Sequence, residues 1–359
     1  MLFLCGFPDP PKSLDIHYFS CCKLFEYVEG RERNDQPFLL PNPNVNIQGS
    51  PPYKQPLCHI TLDINGKIED APSYCYKVDF ANRVPGGGVL NHGCVQEEIL
   101  FVIYPELLIS RLCCESMNHN EAILVEGVER FSNYKGYSRT FDFDGDYQDE
   151  EYEEGQGIQY SKFIIIDALS FPKNQQGLKQ QWGISSISRE LDKAFVGFSL
   201  VDSNNDQPRM KANKKDQKQQ EKQGFFDRFR GKKPKIEEED QNTDGILATG
   251  HWGCGAFNGD HILKFIIQWI AASEARVNEM RYSCFITLIT SILQITQPYY
   301  DVIKDDKGNK QRKQGQQTNS KAVRDLYIAV SQFCNQLQRG QNGNGQQLCL
   351  YLQHAFEKR

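Results

Sequence analysis

Apolar positions along the chain fall into two kinds of stretch. At 59–64 (HITLDI), 74–82 (YCYKVDFAN), 121–131 (EAILVEGVERF), 162–171 (KFIIIDALSF), 246–250 (ILATG) and 281–288 (RYSCFITL) they alternate or run together over a few residues. That is the pattern of strands, and the unbroken runs fit strands covered on both faces. Residues 15–28, 96–117, 185–200, 260–277 and 320–337 instead repeat apolar side chains at helical spacing. Pro105 breaks the second of these, because proline removes a backbone donor. Ser186 and Ser188 offer a cap for the third. Strands alternating with helices predict an α/β layered domain.

Two stretches carry no such period. Residues 202–244 are rich in lysine, glutamine and glutamate around one island, GFFDRFRGKK, and residues 304–319 are similar. Neither can bury enough apolar surface to offset its ordering entropy, so both read as disordered insertions, the island as part of a solvated loop. Residues 34–56 are proline-rich and extended. The resulting division is 1–56, a helix and an extended segment, and 57–359, the layered domain with its two insertions. The acidic run DFDGDYQDEEYEE at 142–154 lacks the sixth-position glycine of a calcium loop and reads as a surface loop.

Composition narrows the function. A net charge of −5 over 359 residues argues against a broad polyanion-binding face, so sequence-specific nucleic-acid binding is not expected. No apolar stretch reaches the roughly 20 residues of a membrane span. The twelve cysteines form no C-x-x-C and read as reduced thiols packed as small hydrophobes, which implies a nuclear or cytoplasmic setting. A monomer is expected.

Two loops carry candidate chemistry. ATGHWGCGAFNGD at 248–260 joins a strand to a helix, where backbone N–H groups and the helix dipole favour an anion. It is not a Walker loop, and its third glycine falls at 259 where the dinucleotide fingerprint requires 258. It reads as a phosphate cradle with no side-chain cation. The other loop, GGGVLNHGCVQEE, places Gly86, Gly87 and Gly88 seven residues ahead of Gln96, Glu97 and Glu98. Adjacent helical residues point about 100° apart, so Glu97 and Glu98 cannot flank one glycosidic bond as an ordinary glycosidase pair does. If one is the acid–base, the other holds something else. A helix N-terminus lowers a carboxyl pKa, whereas burial, a second carboxylate, Asp79 and a bound phosphate raise it.

In order and spacing, VDFAN at 78–82, the GGG and QEE signature, NYKGY at 133–137 and ATGHWGCGAFNGD resemble poly(ADP-ribose) glycohydrolase, from about residue 57 to 287. The resemblance implies a three-layer α/β/α macrodomain-like mixed sheet with extra flanking helices. It also implies cleavage of the ribose–ribose bond of poly(ADP-ribose), with the polymer and ADP-ribosylated proteins as substrates. Glu98 would protonate the departing oxygen and then activate water. Glu97 would orient sugar hydroxyls, and Asp79 and Asn82 would support the catalytic loop. Gly253, Gly255, Ala256 and Phe257 would wrap the diphosphate, with Gly86, Gly87 and Gly88 opposite. Tyr137 would stack on adenine, with Gln96, Ile68 and Glu69 at the base edge. No cofactor or metal is expected, and no ligand pair is read among the seven histidines. His251 stands where the family has asparagine; a metal pair with Cys254 is the alternative, and a hydrogen bond within its loop is the preferred reading. The helical region that many long relatives carry ahead of the macrodomain is reduced here to residues 15–28, which leaves open a second reading, an ADP-ribose reader with weak hydrolysis.

Overall fold

The computed structural model describes residues 25–29, 56–64, 66–148, 161–201, 245–296, 302–304, 310–312, 322–337 and 343–357. The strands are β1 (Phe25–Glu29), β2 (His59–Ile64), β3 (Tyr76–Ala81), β4 (Glu121–Val128), β5 (Ser132–Lys135), β6 (Asp142–Asp146), β7 (Ser161–Asp167), β8 (Ile246–Thr249), β9 (Glu279–Cys284), β10 (Val302–Lys304) and β11 (Lys310–Arg312). The helices are α1 (Gln96–Ile103), α2 (Leu108–Cys113), α3 (Gln175–Gln181), α4 (Ile184–Phe198), α5 (His261–Glu274), α6 (Ile286–Thr296), α7 (Ala322–Leu337) and α8 (Gly345–Glu357).

One seven-stranded sheet runs in the order β1-β4-β7-β3-β8-β9-β2. β7, β3, β8, β9 and β2 are mutually parallel, and β4 and β1 add an antiparallel margin. The apolar run of β7 explains the layering. Phe163 and Ile165 join the core under α1, whereas Ile164 and Ile166 join the larger core under α4 and α5. A side chain fully buried in this way contributes about 1.5–3 kcal/mol. Gly197 lets α4 lie close on the sheet, since a Cβ there would come within 2.7 Å of Ile166 Cγ2. α5 is buried all round, between the sheet and the outer helices α7 and α8. Among the described residues no helix is long and apolar enough to cross a membrane.

Several boundaries differ from the sequence reading. Residues 25–28, read as helix, belong to β1, which covers the otherwise open edge of β4. Residues 142–146, read as an acidic loop, are β6, paired with β5. Residues 286–288, read as strand, start α6, and Phe285 links it to β9, which ends at Cys284. α4 starts earlier than the serine cap, with Gly183 at its N-cap. Part of the 304–319 insertion is ordered, because Lys310–Arg312 pairs with Val302–Lys304. The 202–244 insertion and most of the 1–56 segment lie outside the described residues.

Candidate active site

The sheet order fixes where a ligand sits. From β3 the chain turns toward β4 on one side, and from β8 it turns toward β9 on the other, although β3 and β8 are neighbours. Their carboxyl ends therefore flank a topological switch point, the place where open α/β sheets open a crevice. Both glycine-rich loops leave from this edge, the 82–95 loop leading to α1 and the 250–260 turn to α5.

The first three residues of α1 clasp the edge. Gln96 Oε1 accepts from the Phe80 N–H at 2.9 Å and its Nε2 donates to Val78 O at 3.0 Å, so both ends of the amide hold β3. Glu97 accepts from the N–H groups of Asn82 (2.9 Å) and Gly86 (2.7 Å). Glu98 accepts from the N–H of Gly88 at 2.8 Å and of Val95 at 3.0 Å, the second bond capping the helix from its third position. Arg111 Nη1, which the sequence reading missed, donates to the carbonyls of Pro85 and Gly87 and braces the loop from behind. Gly87 has φ +45°, and a Cβ there would fall 2.5 Å from Glu97 Oε2 and 2.6 Å from Glu98 Oε1. Only glycine lets the main chain pass so near both carboxyls.

Asp79 completes a three-carboxyl cluster. It is fully buried, and among the described residues neither of its oxygens has a hydrogen-bond partner. Burial, followed by the charge of Glu98, pushes its pKa well above the usual carboxylate range. Burial and then Asp79 push Glu97 up to about 10, against the two amide bonds that favour its charge. Burial and mutual repulsion thus favour the protonated forms of Asp79 and Glu97. Between the ordinary and the raised values the unfolded chain has released these protons while the folded chain keeps them. This contribution to stability is therefore complete below about pH 4 and is lost as pH rises toward the raised values. Asp79→Asn is expected to flatten the fall of Tm between about pH 5 and pH 9, and to raise Tm by about 3 °C near the upper end. Unchanged slopes in thermal melts would contradict the assignment.

The 250–260 turn presents main chain to the same edge. Trp252, fully buried, donates through Nε1 to Ile166 O at 3.1 Å, and Gln268 Nε2 donates to Gly250 O at 3.0 Å. Beyond these anchors, Gly255 and Ala256 are exposed. Among the described residues, the N–H groups of Gly253, Gly255, Ala256 and Phe257 donate to no group of the protein. Gly253 adopts φ +72°. One expectation for this turn needs correction. The start of α5 is closed to an anion, because Asp260 accepts from the N–H groups of Ile262 and Leu263, both at 3.0 Å. The free donors lie in the turn itself, a backbone nest. The turn also has a side-chain amine behind it, since Lys264 Nζ lies 3.0 Å from where a Gly253 Cβ would sit and 4.1 Å from the Trp252 ring centre. Burial and then Arg189 push the lysine's pKa well down, against the charge of Asp167, and the amine pairs directly with buried Glu190.

Tyr137 lies at the mouth, with about half of its surface exposed. Burial of the rest raises its phenol pKa, and the backbone of Gln96 bonds it, with Glu98, Cys94 and Glu69 near enough to be felt. Cys94 Sγ and Ser138 Oγ, 3.3 Å apart, tie its hairpin to the loop before α1. Ile68 and Glu69, expected at a base edge, are buried; Ile68 packs with Cys75, Ile246 and Ala248, and Glu69 accepts a bond from the Tyr134 hydroxyl. Gln96 serves first as the α1–β3 clasp. The Asn82 side chain is exposed and accepts from the Val84 N–H at 3.2 Å. The structure therefore gathers Asp79, Asn82, Gly86, Gly87, Gly88, Gln96, Glu97, Glu98 and Tyr137 around one carboxyl edge, with the 253–257 turn on the neighbouring strand end.

One grouping extends the sequence reading, which weighed His251 only with Cys254. His251, Cys254 and His261 each bring a ligand atom within 4.8 Å of the others. The sequence reading found no ligand pair among the histidines, because His261 is ten residues from His251 and lies across the turn. His251 bonds outside its own loop, its Nε2 accepting from the Phe285 N–H at 3.4 Å. The nine described cysteines are free thiols.

The sheet order and its loaded carboxyl edge define an α/β domain of macro type. Residues 48–289 match the family model for the poly(ADP-ribose) glycohydrolase macro domain fold, and the chain belongs to that family. It is 34% identical over 271 residues to poly(ADP-ribose) glycohydrolase 1 of Arabidopsis thaliana, covering 67% of this chain and 48% of that protein. It is 37% identical over 215 residues to poly(ADP-ribose) glycohydrolase 1 of Caenorhabditis elegans, covering 58% of this chain and 23% of that protein. The chain spans about half the length, or less, of the curated relatives it matches. A structure of poly(ADP-ribose) glycohydrolase from Deinococcus radiodurans in complex with ADP-ribose aligns with 74% of this chain and 88% of its own, at 11% identity and a TM-score of 0.35. A superposition that loose positions no residue.

Proposed function

We propose that this chain hydrolyses the ribose–ribose O-glycosidic bonds of poly(ADP-ribose) and releases ADP-ribose. The observation that carries the proposal is the buried Asp79–Glu97–Glu98 cluster at the switch point, beside a turn in which the N–H groups of Gly253, Gly255, Ala256 and Phe257 are unbonded among the described residues. Family membership supports the same substrate.

In the proposed reaction Glu98 gives its proton to the glycosidic oxygen as the bond to the anomeric carbon breaks through an oxocarbenium-like transition state. The resulting carboxylate takes a proton from the water that attacks that carbon, which restores the acid. General acid–base catalysis of this kind contributes about 10²–10⁴-fold. The two amides on Glu98 fix its position throughout. Glu97, protonated and tied to Asn82 and Gly86, orients a sugar hydroxyl, and Asp79 beneath it supports the loop. The N–H groups of Gly255, Ala256 and Phe257 bind the diphosphate, whose own charge stabilises the cation-like transition state. Tyr137 stacks on the adenine.

Turnover tests the reading. The purified chain is expected to release ADP-ribose from the polymer, followed by chromatography. Binding of ADP-ribose with no release would establish the reader instead. Tyr137→Ala is expected to weaken ADP-ribose affinity by about 5–150-fold, since stacking on an aromatic ring is worth about 1–3 kcal/mol. Calorimetry giving an unchanged Kd would remove the stacking role.

A further inference from the structure

We propose that His251, Cys254 and His261 form a binding site for a divalent metal ion of borderline softness, zinc by chemical class, which clips the 250–260 turn to the start of α5. The proposal is independent of which polymer the edge receives.

Two imidazoles and a thiol are the donor set that selects zinc-like ions over magnesium or calcium. The three come from both sides of one turn: His251 just after β8, Cys254 buried at the centre, and His261 as the first residue of α5. Three atoms no more than 4.8 Å apart fit on a circle of radius about 2.8 Å. Metal–ligand distances of about 2.0–2.3 Å therefore require each donor to move by less than about 1 Å. The two rings already stand 4.8 Å apart at 75°, so neither blocks the other's approach to a shared point.

A second observation points to a missing ligand. Among the described residues His251 Nδ1 is buried and has no hydrogen-bond partner, while the bond to its Nε2 is long at 3.4 Å. A buried ring nitrogen with nothing to bond is costly. A metal ion at Nδ1 would satisfy it, with the ring proton moved to Nε2 at the expense of only the long Phe285 contact. Binding releases the Cys254 thiol proton to solvent as the metal–sulfur bond forms, with no change in oxidation state. Three protein ligands leave one coordination position for water or another donor.

Such a clip would sit at the root of the amides at 255–257 and hold their turn in one shape. The test is titration of the full chain with Co²⁺ alone, under anaerobic conditions with a non-thiol reductant. One equivalent is expected to bind with a near-ultraviolet thiolate-to-cobalt band and tetrahedral visible bands, both displaced by Zn²⁺. Cys254→Ser is expected to lose the thiolate band. His261→Gln is expected to weaken Co²⁺ binding by at least about tenfold and carries the test if the serine variant fails to fold. Absence of the thiolate band in the wild type, its persistence in Cys254→Ser, or unchanged affinity in His261→Gln would overturn the proposal.

Discussion

Glu98→Gln is expected to cut ADP-ribose release from the polymer by about 10²–10⁴-fold, the usual contribution of a general acid–base, while leaving ADP-ribose binding nearly unchanged. Glutamine keeps the shape and a carbonyl oxygen that can accept from the Gly88 or Val95 N–H, so the loop keeps much of its support. What it removes is the proton the leaving oxygen needs. The same variant separates a chemical role from a structural one, because Glu98 also caps α1. Parallel loss of release, affinity and Tm would assign Glu98 to the cap alone. Equal turnover by variant and wild type would exclude it from the chemistry.

The largest expected effect on stability lies behind the phosphate turn. Glu190 pairs with Lys264, accepts from Arg189 Nη1 at 2.8 Å and accepts from the Leu169 N–H at 2.9 Å, while Asp167 pairs with Arg189 and Lys193. Glu190→Ala strands a buried amine and the Leu169 N–H at once, while Arg189 Nη1 keeps its bond to the Asp167 carbonyl. Breaking one side of a buried pair costs about 3–5 kcal/mol, and about 1 kcal/mol moves Tm by about 2–4 °C in a domain of this size. A fall of about 10 °C is therefore expected. A change smaller than about 2 °C would show that the network carries little stability.

Burial made most of the fold legible. β4, β7 and β8 lie inside the sheet, and their apolar runs announced two covered faces. The β5–β6 hairpin did not announce itself, because its residues are largely exposed and acidic and leave no apolar alternation to read. The end of β9 was hidden for the opposite reason: an apolar run continues without a break from the strand into α6.

The site divides along the same line. Its contiguous parts, GGG with QEE and the 248–260 turn, could be read from order and spacing. Contacts made across the fold could not. Arg111 braces Gly87 from twenty-four residues away, and Gln96 spends its amide on β3 where a free base-reading group was expected. Lys193, Glu190 and Lys264 sit in helices, where charge ordinarily marks the solvent face, yet all three are buried. His261 joins His251 and Cys254 only once the turn has closed.

The account stands on two loops from neighbouring strands gripping one molecule. Amide chemical shifts recorded during a titration with ADP-ribose read this directly. The N–H signals of Gly86, Gly87 and Gly88 and those of Gly255, Ala256 and Phe257 are predicted to move together and to saturate with a single Kd. Movement of one set while the other stays fixed would contradict the account.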